Sequence, residues 1–160
     1  MYLVDTNVML AASAVSELSN LAVRAMPHEI ELREKIYEWL ADFDQSDQRI
    51  VLDEEGLVLH EYERNMPYNL REQEYGMQVL QYKLDRNLAD YVPIQSLQAN
   101  GEHIAVLDPA HEVLVMDRED RKWVACALAA QILFDKVPPI VYGAETDWFM
   151  AEEQLIGVGL

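Results

Sequence analysis

The chain begins with Met1-Tyr2-Leu3-Val4-Asp5-Thr6-Asn7-Val8-Met9-Leu10, in which a short apolar run ends on an acid. An apolar run of this length predicts a strand that is buried on both faces of a sheet. Ligands of open α/β sheets bind outside the carboxyl ends of the strands, and Asp5 directly follows such an end. Asp5 is therefore the first candidate site residue.

The composition predicts a single domain over residues 1–160, because this length is sufficient for one hydrophobic core. Apolar residues make up 51% of the chain, a fraction that argues against disorder. The single cysteine, Cys126, excludes an internal disulfide framework and is typical of a reducing compartment. The N-terminus lacks a basic segment and no window approaches a membrane span, so we expect a cytoplasmic protein without a membrane partner.

The net charge is −17, which indicates an acidic, solvated surface. This charge argues against loose electrostatic binding to nucleic acid, since such binding needs Lys and Arg on the phosphates. Nucleic acid stays compatible with the sequence if bound cations neutralise a few acids at the site. A basic protein partner is compatible as well.

Short apolar runs alternate with helical patterns along the chain. Strands are predicted at residues 2–5, 49–53, 111–116 and 140–143, with 155–160 as an edge strand or tail. Helices are predicted at about residues 8–21, 29–41, 54–66, 69–88 and 120–134, with a loop at 42–48 and irregular structure at 91–110. This alternation is typical of βαβ units around a parallel sheet.

Acidic residues at four positions share one context, beside a predicted strand end or in a largely apolar helix; they are Asp5, Glu61, Asp120 and the pair Glu145 and Asp147. Taken singly, the last four have ordinary interpretations as a solvated helix residue, a helix cap and turn residues. Gathered carboxylates repel one another, and a hard divalent cation such as Mg²⁺ or Mn²⁺ relieves that repulsion. Such a cluster suits metal-assisted attack of water on a phosphodiester.

Four segments resemble the motifs of PIN-domain nucleases, in the family's order and over nearly the whole chain. They are Leu3-Val4-Asp5-Thr6-Asn7-Val8, Leu59-His60-Glu61-Tyr62-Glu63-Arg64-Asn65, Asp120-Arg121-Lys122-Trp123-Val124-Ala125-Cys126-Ala127-Leu128 and Ile140-Val141-Tyr142-Gly143-Ala144-Glu145-Thr146-Asp147-Trp148. The resemblance implies a three-layer α/β/α sandwich with a central, mostly parallel, Rossmann-like sheet. It also implies a Mg²⁺- or Mn²⁺-dependent endoribonuclease that cleaves single-stranded or structured RNA.

The resemblance implies that Asp5, Glu61 and Asp120 are catalytic acids that bind the metal. It implies that the Asn7 amide either binds the metal or orients one of the metal ligands. The family has an Asp where this chain has Glu145, so either Glu145 or Asp147 completes the site, or a second metal ion binds weakly. Asp117 competes with Asp120 for its place, and the helical pattern that follows favours Asp120.

The resemblance also bears on partners. It implies a homodimer, and by analogy the toxin half of a toxin–antitoxin pair, with an antitoxin protein as partner. The basic residues expected near the RNA backbone are Arg64, Arg71, Lys83, Arg86, Arg118, Arg121 and Lys122.

Two other hypotheses belong to different functional classes. The first is a degenerate PIN-like module that binds a protein or RNA partner without cleavage, which the net charge and Glu145 favour. The second is a phospho-acceptor domain around Asp5, which would need a Lys after a late strand, whereas residues 137–160 contain neither Lys nor Arg. The sequence has no Gly-rich phosphate loop, no Gly-x-Ser-x-Gly elbow and no zinc spacing of its histidines.

Overall fold

The structure is a computed structural model that describes residues 1–15, 19–67, 74–99, 101–144 and 146–160, with the backbone alone at 146 and 147. Its helices are α1 (Thr6–Ser13), α2 (Ile30–Gln45), α3 (Leu57–Asn65), α4 (Tyr75–Asp85), α5 (Pro109–Glu112), α6 (Arg121–Phe134) and α7 (Thr146–Gly157). Its strands are β1 (Leu3–Val4), β2 (Ile50–Asp53), β3 (Ala89–Val92), β4 (Ser96–Ala99), β5 (Glu102–Ala105) and β6 (Ile140–Val141).

The strands form short parallel pairs and one antiparallel hairpin. β1 runs parallel to β6, with Leu3 opposite Ile140, and β2 runs parallel to β3. A parallel bridge between Tyr2 and Ile50 links these two pairs side by side. The hairpin joins β4 to β5. The chain is therefore a mixed α/β protein with short parallel sheets, as the alternation of apolar runs and helical patterns predicted.

The hydrophobic core lies around β1 and β2, whose side chains are buried along their whole length. A strand buried on both faces needs apolar residues at every position, which explains the uninterrupted runs at residues 3–4 and 50–52. The helix α6 packs against β1, β2 and β3, and α1 packs against α2, α3 and α4. None of the helices in the described residues combines the length and the apolarity that crossing a membrane requires.

In the C-terminal half, the strand predicted at residues 111–116 and the edge-strand alternative for residues 155–160 are wrong. Residues 111–116 do not form a strand, because Asp108 accepts hydrogen bonds from the N–H groups of Ala110 and His111 and starts the helix α5 at Pro109. Residues 155–160 are no strand either, because α7 continues to Gly157. Its buried side chains Trp148 and Leu155 lie seven residues apart, the spacing of one helix face.

Other boundaries differ in ways that tertiary contacts explain. The predicted loop at 42–48 begins too early, because Phe43 is buried with Leu40 and extends the apolar face of α2 to Gln45. The helix predicted over 8–21 ends at Ser13, and Arg33 then donates to the carbonyls of Ala14, Ala22 and Ala25. Of the helix predicted at 69–88, the structure shows α4, which begins at Tyr75 and ends at Asp85. Residues 68–73 lie outside the described part of the chain.

Candidate functional site

Asp5 lies where β1 ends and α1 begins. Its backbone N–H donates to Val141 of β6, and its side chain caps α1 by accepting from the N–H of Asn7 at 2.7 Å. The indole Nε1 of Trp148 donates to the other carboxylate oxygen at 3.0 Å. Only 2% of Asp5 is exposed. The strand end therefore holds a buried carboxylate in one fixed orientation.

The pKa of Asp5 is raised from 3.8 to about 6, and burial is the largest cause. The negative charge of Glu61 contributes to this rise, while the hydrogen bonds from Asn7 and Trp148 and the charge of Lys122 oppose it. The neighbours of Asp5 therefore compensate only part of the cost of burying its charge. A carboxylate in this state favours the approach of a cation.

Glu61 reaches the same place from the helix α3. This helix is positioned at its start by Asp53, whose carboxylate accepts from the N–H groups of Leu57 and Val58, both at 2.8 Å. The buried Tyr62 donates its hydroxyl to the carbonyl of Val4 and so ties α3 to β1. These contacts place the Glu61 carboxylate over the first turn of α1, where Thr6 Oγ1 donates to Oε1 at 2.5 Å.

Lys122, on the first turn of α6, supplies the positive charge of the site. Its Nζ forms an ion pair with Oε2 of Glu61 and also donates to the backbone carbonyl of Glu119. The side chains of Lys122 and Glu61 are only 8% and 14% exposed. Both oxygens of Glu61 are thus engaged, one by a hydroxyl and one by an ammonium.

The remaining predicted residues are distributed as follows. Asp120 is half-buried directly before α6, and its side chain does not cap that helix. Asp117 is exposed and accepts from the N–H of Glu119 at 2.8 Å, which engages it in a turn. Asn7 is half-buried in α1 beside Asp5. Glu145 and the side chain of Asp147 lie outside the part of the chain that the structure describes.

Of the predicted acids, the structure brings Asp5 and Glu61 together around Thr6. Within the described residues, no group of three or more His, Cys, Asp or Glu side chains is arranged to hold a metal ion. Carboxylate oxygens are the ligands that hard cations prefer, and one of them, Oε2 of Glu61, already binds a positive group, the ammonium of Lys122.

A cleft of about 970 Å³ lies beside this site. Its walls are α3, the β4–β5 hairpin and the residues before α6; lining side chains include Glu61, Arg64, His103, Arg118, Glu119 and Lys122. Arg64 and Glu119, which both line the cleft, pair at 2.6 Å. The carboxylate of Glu61 therefore lines a cleft that has three basic side chains among a larger number of acidic ones; the acids are Glu55, Glu61, Glu63, Glu102 and Glu119.

The interpretation of Lys83 as a substrate-facing residue is wrong. Lys83 is fully buried, and its ammonium donates to the backbone carbonyls of Phe43, Ser46 and Gln48. Arg86 and Arg121 form ion pairs with Asp47 and Glu112. Arg71 lies outside the described residues. The basic side chains at the cleft are those of Arg64, Arg118 and Lys122.

Sequence reasoning missed the roles of Thr6 and of the hairpin. Thr6 lies between Asp5 and Asn7, and this position was the signal that it could lie at the site. The hairpin had a weaker signal, the Asn-Gly sequence at residues 100–101.

No protein-family model, curated protein or solved structure matches the chain. The resemblance to PIN-domain nucleases therefore rests on the motifs of this chain.

Proposed function

We propose that the chain is a PIN-like endoribonuclease that depends on Mg²⁺ or Mn²⁺. The observation that carries this proposal is the pair of carboxylates of Asp5 and Glu61, which come from a strand end and a helix and interact electrostatically. Asp5 is buried, and Glu61 lines the cleft. A further part of the proposal is that residues 1–160 form one domain with a three-layer α/β/α architecture. The parallel pairs β1–β6 and β2–β3 support it.

The rigid surroundings of the two acids support a catalytic role. Asp5 is held by two N–H donors, and Glu61 belongs to a helix that Asp53 and Tyr62 fix at successive turns. A site whose ligands are oriented before the substrate arrives loses little free energy in reorganisation.

A metal ion would be held by Asp5, Glu61, Asp120 and Asn7, with Glu145 or Asp147 as the further acid. When bound, such a metal would polarise the phosphate of the substrate and lower the pKa of a bound water. The chain's own residues do the rest: the cleft admits the RNA, and Arg64 and Arg118 contact its phosphates. The cleft is lined by more glutamates than basic side chains, so a bound divalent cation would also have to offset their repulsion of the RNA phosphates.

We further propose that the chain is the toxin of a toxin–antitoxin pair. In this setting it is cytoplasmic, forms a homodimer and binds an antitoxin protein. Exposed apolar side chains on α7, those of Phe149, Met150 and Ile156, offer a surface of the kind that protein partners cover. Growth arrest on expression is the expected result, and its absence would argue against the toxin setting.

The decisive experiment compares RNA cleavage by the wild type and Asp5→Asn in the presence of Mn²⁺. Loss of one charged ligand is expected to lower the rate by about a hundredfold or more. The matched pair Asp120→Asn and Asp117→Asn tests the choice between those acids, and only the former is expected to reduce the rate. Equal cleavage by the wild type and Asp5→Asn would identify a contaminating nuclease and refute the proposal.

A second candidate function is a PIN-like module that binds a partner without cleavage. The ion pair between Lys122 and Glu61 favours it, since an internal cation already satisfies the carboxylate. This candidate predicts that neither the wild type nor any Lys122 variant binds Mn²⁺ in a calorimetric titration.

A further inference from the structure

We propose that Lys122 is a built-in competitor for the metal, whose ammonium must leave Glu61 before a divalent cation can bind there. This inference rests on the proposed function. It adds a residue that sets the metal concentration at which the site loads.

The contacts of Glu61 carry the first step. Oε1 accepts from Thr6 and Oε2 accepts from Lys122, so a second cation has no unengaged oxygen on this carboxylate. The Thr6 hydroxyl is neutral and can share Oε1 with a metal ion, whereas the ammonium on Oε2 repels a divalent ion that binds either oxygen of the same carboxylate. Lys122 is therefore the group that has to move for a divalent cation to bind tightly.

The surroundings of Lys122 show where its ammonium can go. Its second contact is the backbone carbonyl of Glu119, and both Lys122 and Glu119 line the cleft. A lysine side chain has four flexible carbons, so its ammonium can turn into the cleft while α6 stays in place. In that position it would meet the phosphate of a bound RNA, so metal loading and substrate binding would favour one another.

The position of Lys122 on α6 supports an exchangeable role. A positive charge in the first turn of a helix faces the positive end of the helix dipole, which is unfavourable. The ammonium is therefore held there by Glu61 and the Glu119 carbonyl against the preference of its own helix.

Calorimetric Mn²⁺ titration of the full chain tests the inference without any activity measurement. We expect Lys122→Met to bind Mn²⁺ about tenfold more tightly than the wild type, or better, because a competing charge has been removed. Lys122→Arg, which keeps the charge, should bind as weakly as the wild type. Lys122→Gln retains hydrogen-bonding groups for Glu61 and Glu119 without the charge, and should behave like Lys122→Met even if the latter folds poorly.

The outcomes separate the inference from the proposed function. Equal affinity in the wild type, Lys122→Gln and Lys122→Met would overturn the role of Lys122 and leave the metal site intact. The role of Lys122 would be established if Lys122→Met and Lys122→Gln bind Mn²⁺ more tightly than the wild type and if adding Glu61→Gln to either variant abolishes this gain. Absence of binding in every variant would overturn the metal site itself, and the inference with it.

Discussion

Lys83 and Lys122 are both buried, but their ammonium groups have opposite surroundings. Lys83 donates to three backbone carbonyls at the end of α2, two of them at 2.8 and 3.0 Å, and lies over the ring of Phe43. Lys122 pairs with the carboxylate of Glu61 at the edge of the cleft. The acceptors of Lys83 are neutral and belong to the fold, whereas the partner of Lys122 is a charge that another cation can take.

The helix ends explain why we expect one lysine to stabilise the fold more than the other. Lys83 binds carbonyls at the C-terminus of a helix, which lack partners within the helix and attract positive charge. Lys122 lies at the N-terminus of α6, where positive charge is unfavourable. Departures from a local rule are concentrated at functional sites, and on this criterion Lys122 belongs to the site and Lys83 to the scaffold.

The largest effect is expected from Lys83→Met. This substitution keeps the volume and removes the donor of three carbonyls, so we expect the free energy of unfolding to fall by about 4 kcal/mol. Chemical denaturation measures it. Lys35→Met on the exposed face of α2 is the control and should change stability by less than about 0.5 kcal/mol. A similarly small change in Lys83→Met would show that the carbonyls find other donors.

The second prediction concerns Asp5, which tests how much the burial of its charge at the candidate site destabilises the folded protein. Its pKa is about 6 in the folded protein and 3.8 in the unfolded chain, so between these values the folded state binds more protons. The contribution of Asp5 to stability is therefore present below about pH 4 and is lost as the pH rises through 6. Asp5→Asn should gain up to about 3 kcal/mol relative to the wild type between pH 4 and pH 8.

This measurement requires a chelator, so that no metal ion neutralises the carboxylate. Because only the change with pH is compared, any constant cost of the Asn side chain cancels. A stability difference between the two proteins that does not vary with pH would contradict the burial of a charged Asp5.

The sequence predicted the parts of the molecule that local pattern determines. The unbroken apolar runs before Asp5 and at residues 50–52 indicated buried parallel strands, and the small and apolar residues after Asp120 indicated the helix α6. The transition from β1 to α1 was predicted less closely: the helix begins at Thr6 rather than at about residue 8, because Asp5 caps it.

Contacts between residues distant in sequence could not be predicted in this way. The partner of Glu61 lies 61 residues further along the chain, and no periodicity connects it to Lys122. The carbonyls that accept hydrogen bonds from Lys83 belong to the end of α2 and the segment after it. The helical pattern around Lys83 gave no indication that this lysine would be buried in the core. Chain topology, which pattern does not encode, decides both cases.

The third prediction concerns the stability of Lys122→Met. Removing the ammonium leaves Glu61 with its hydrogen bond from Thr6 and relieves the unfavourable helix position, so the loss without metal should be about 1 kcal/mol, well below that of Lys83→Met. Mn²⁺ should stabilise Lys122→Met more than it stabilises the wild type or Lys83→Met, because both of these keep the competing ammonium. Thermal unfolding with and without Mn²⁺ measures both. A loss as large as that of Lys83→Met, unaffected by Mn²⁺, would place Lys122 in the scaffold.

The smallest effect is expected at Arg64, the exposed cation at the mouth of the same cleft. Its ion pair with Glu119 joins side chains that are 50% and 52% exposed, so water screens the attraction and Arg64→Ala should cost less than about 0.5 kcal/mol. Chemical denaturation checks this, and a cost above 1 kcal/mol would mean that the pair holds α3 to the segment before α6. Because the fold does not depend on Arg64, weaker RNA binding by Arg64→Ala, with a shallower dependence on salt, would report a lost phosphate contact alone.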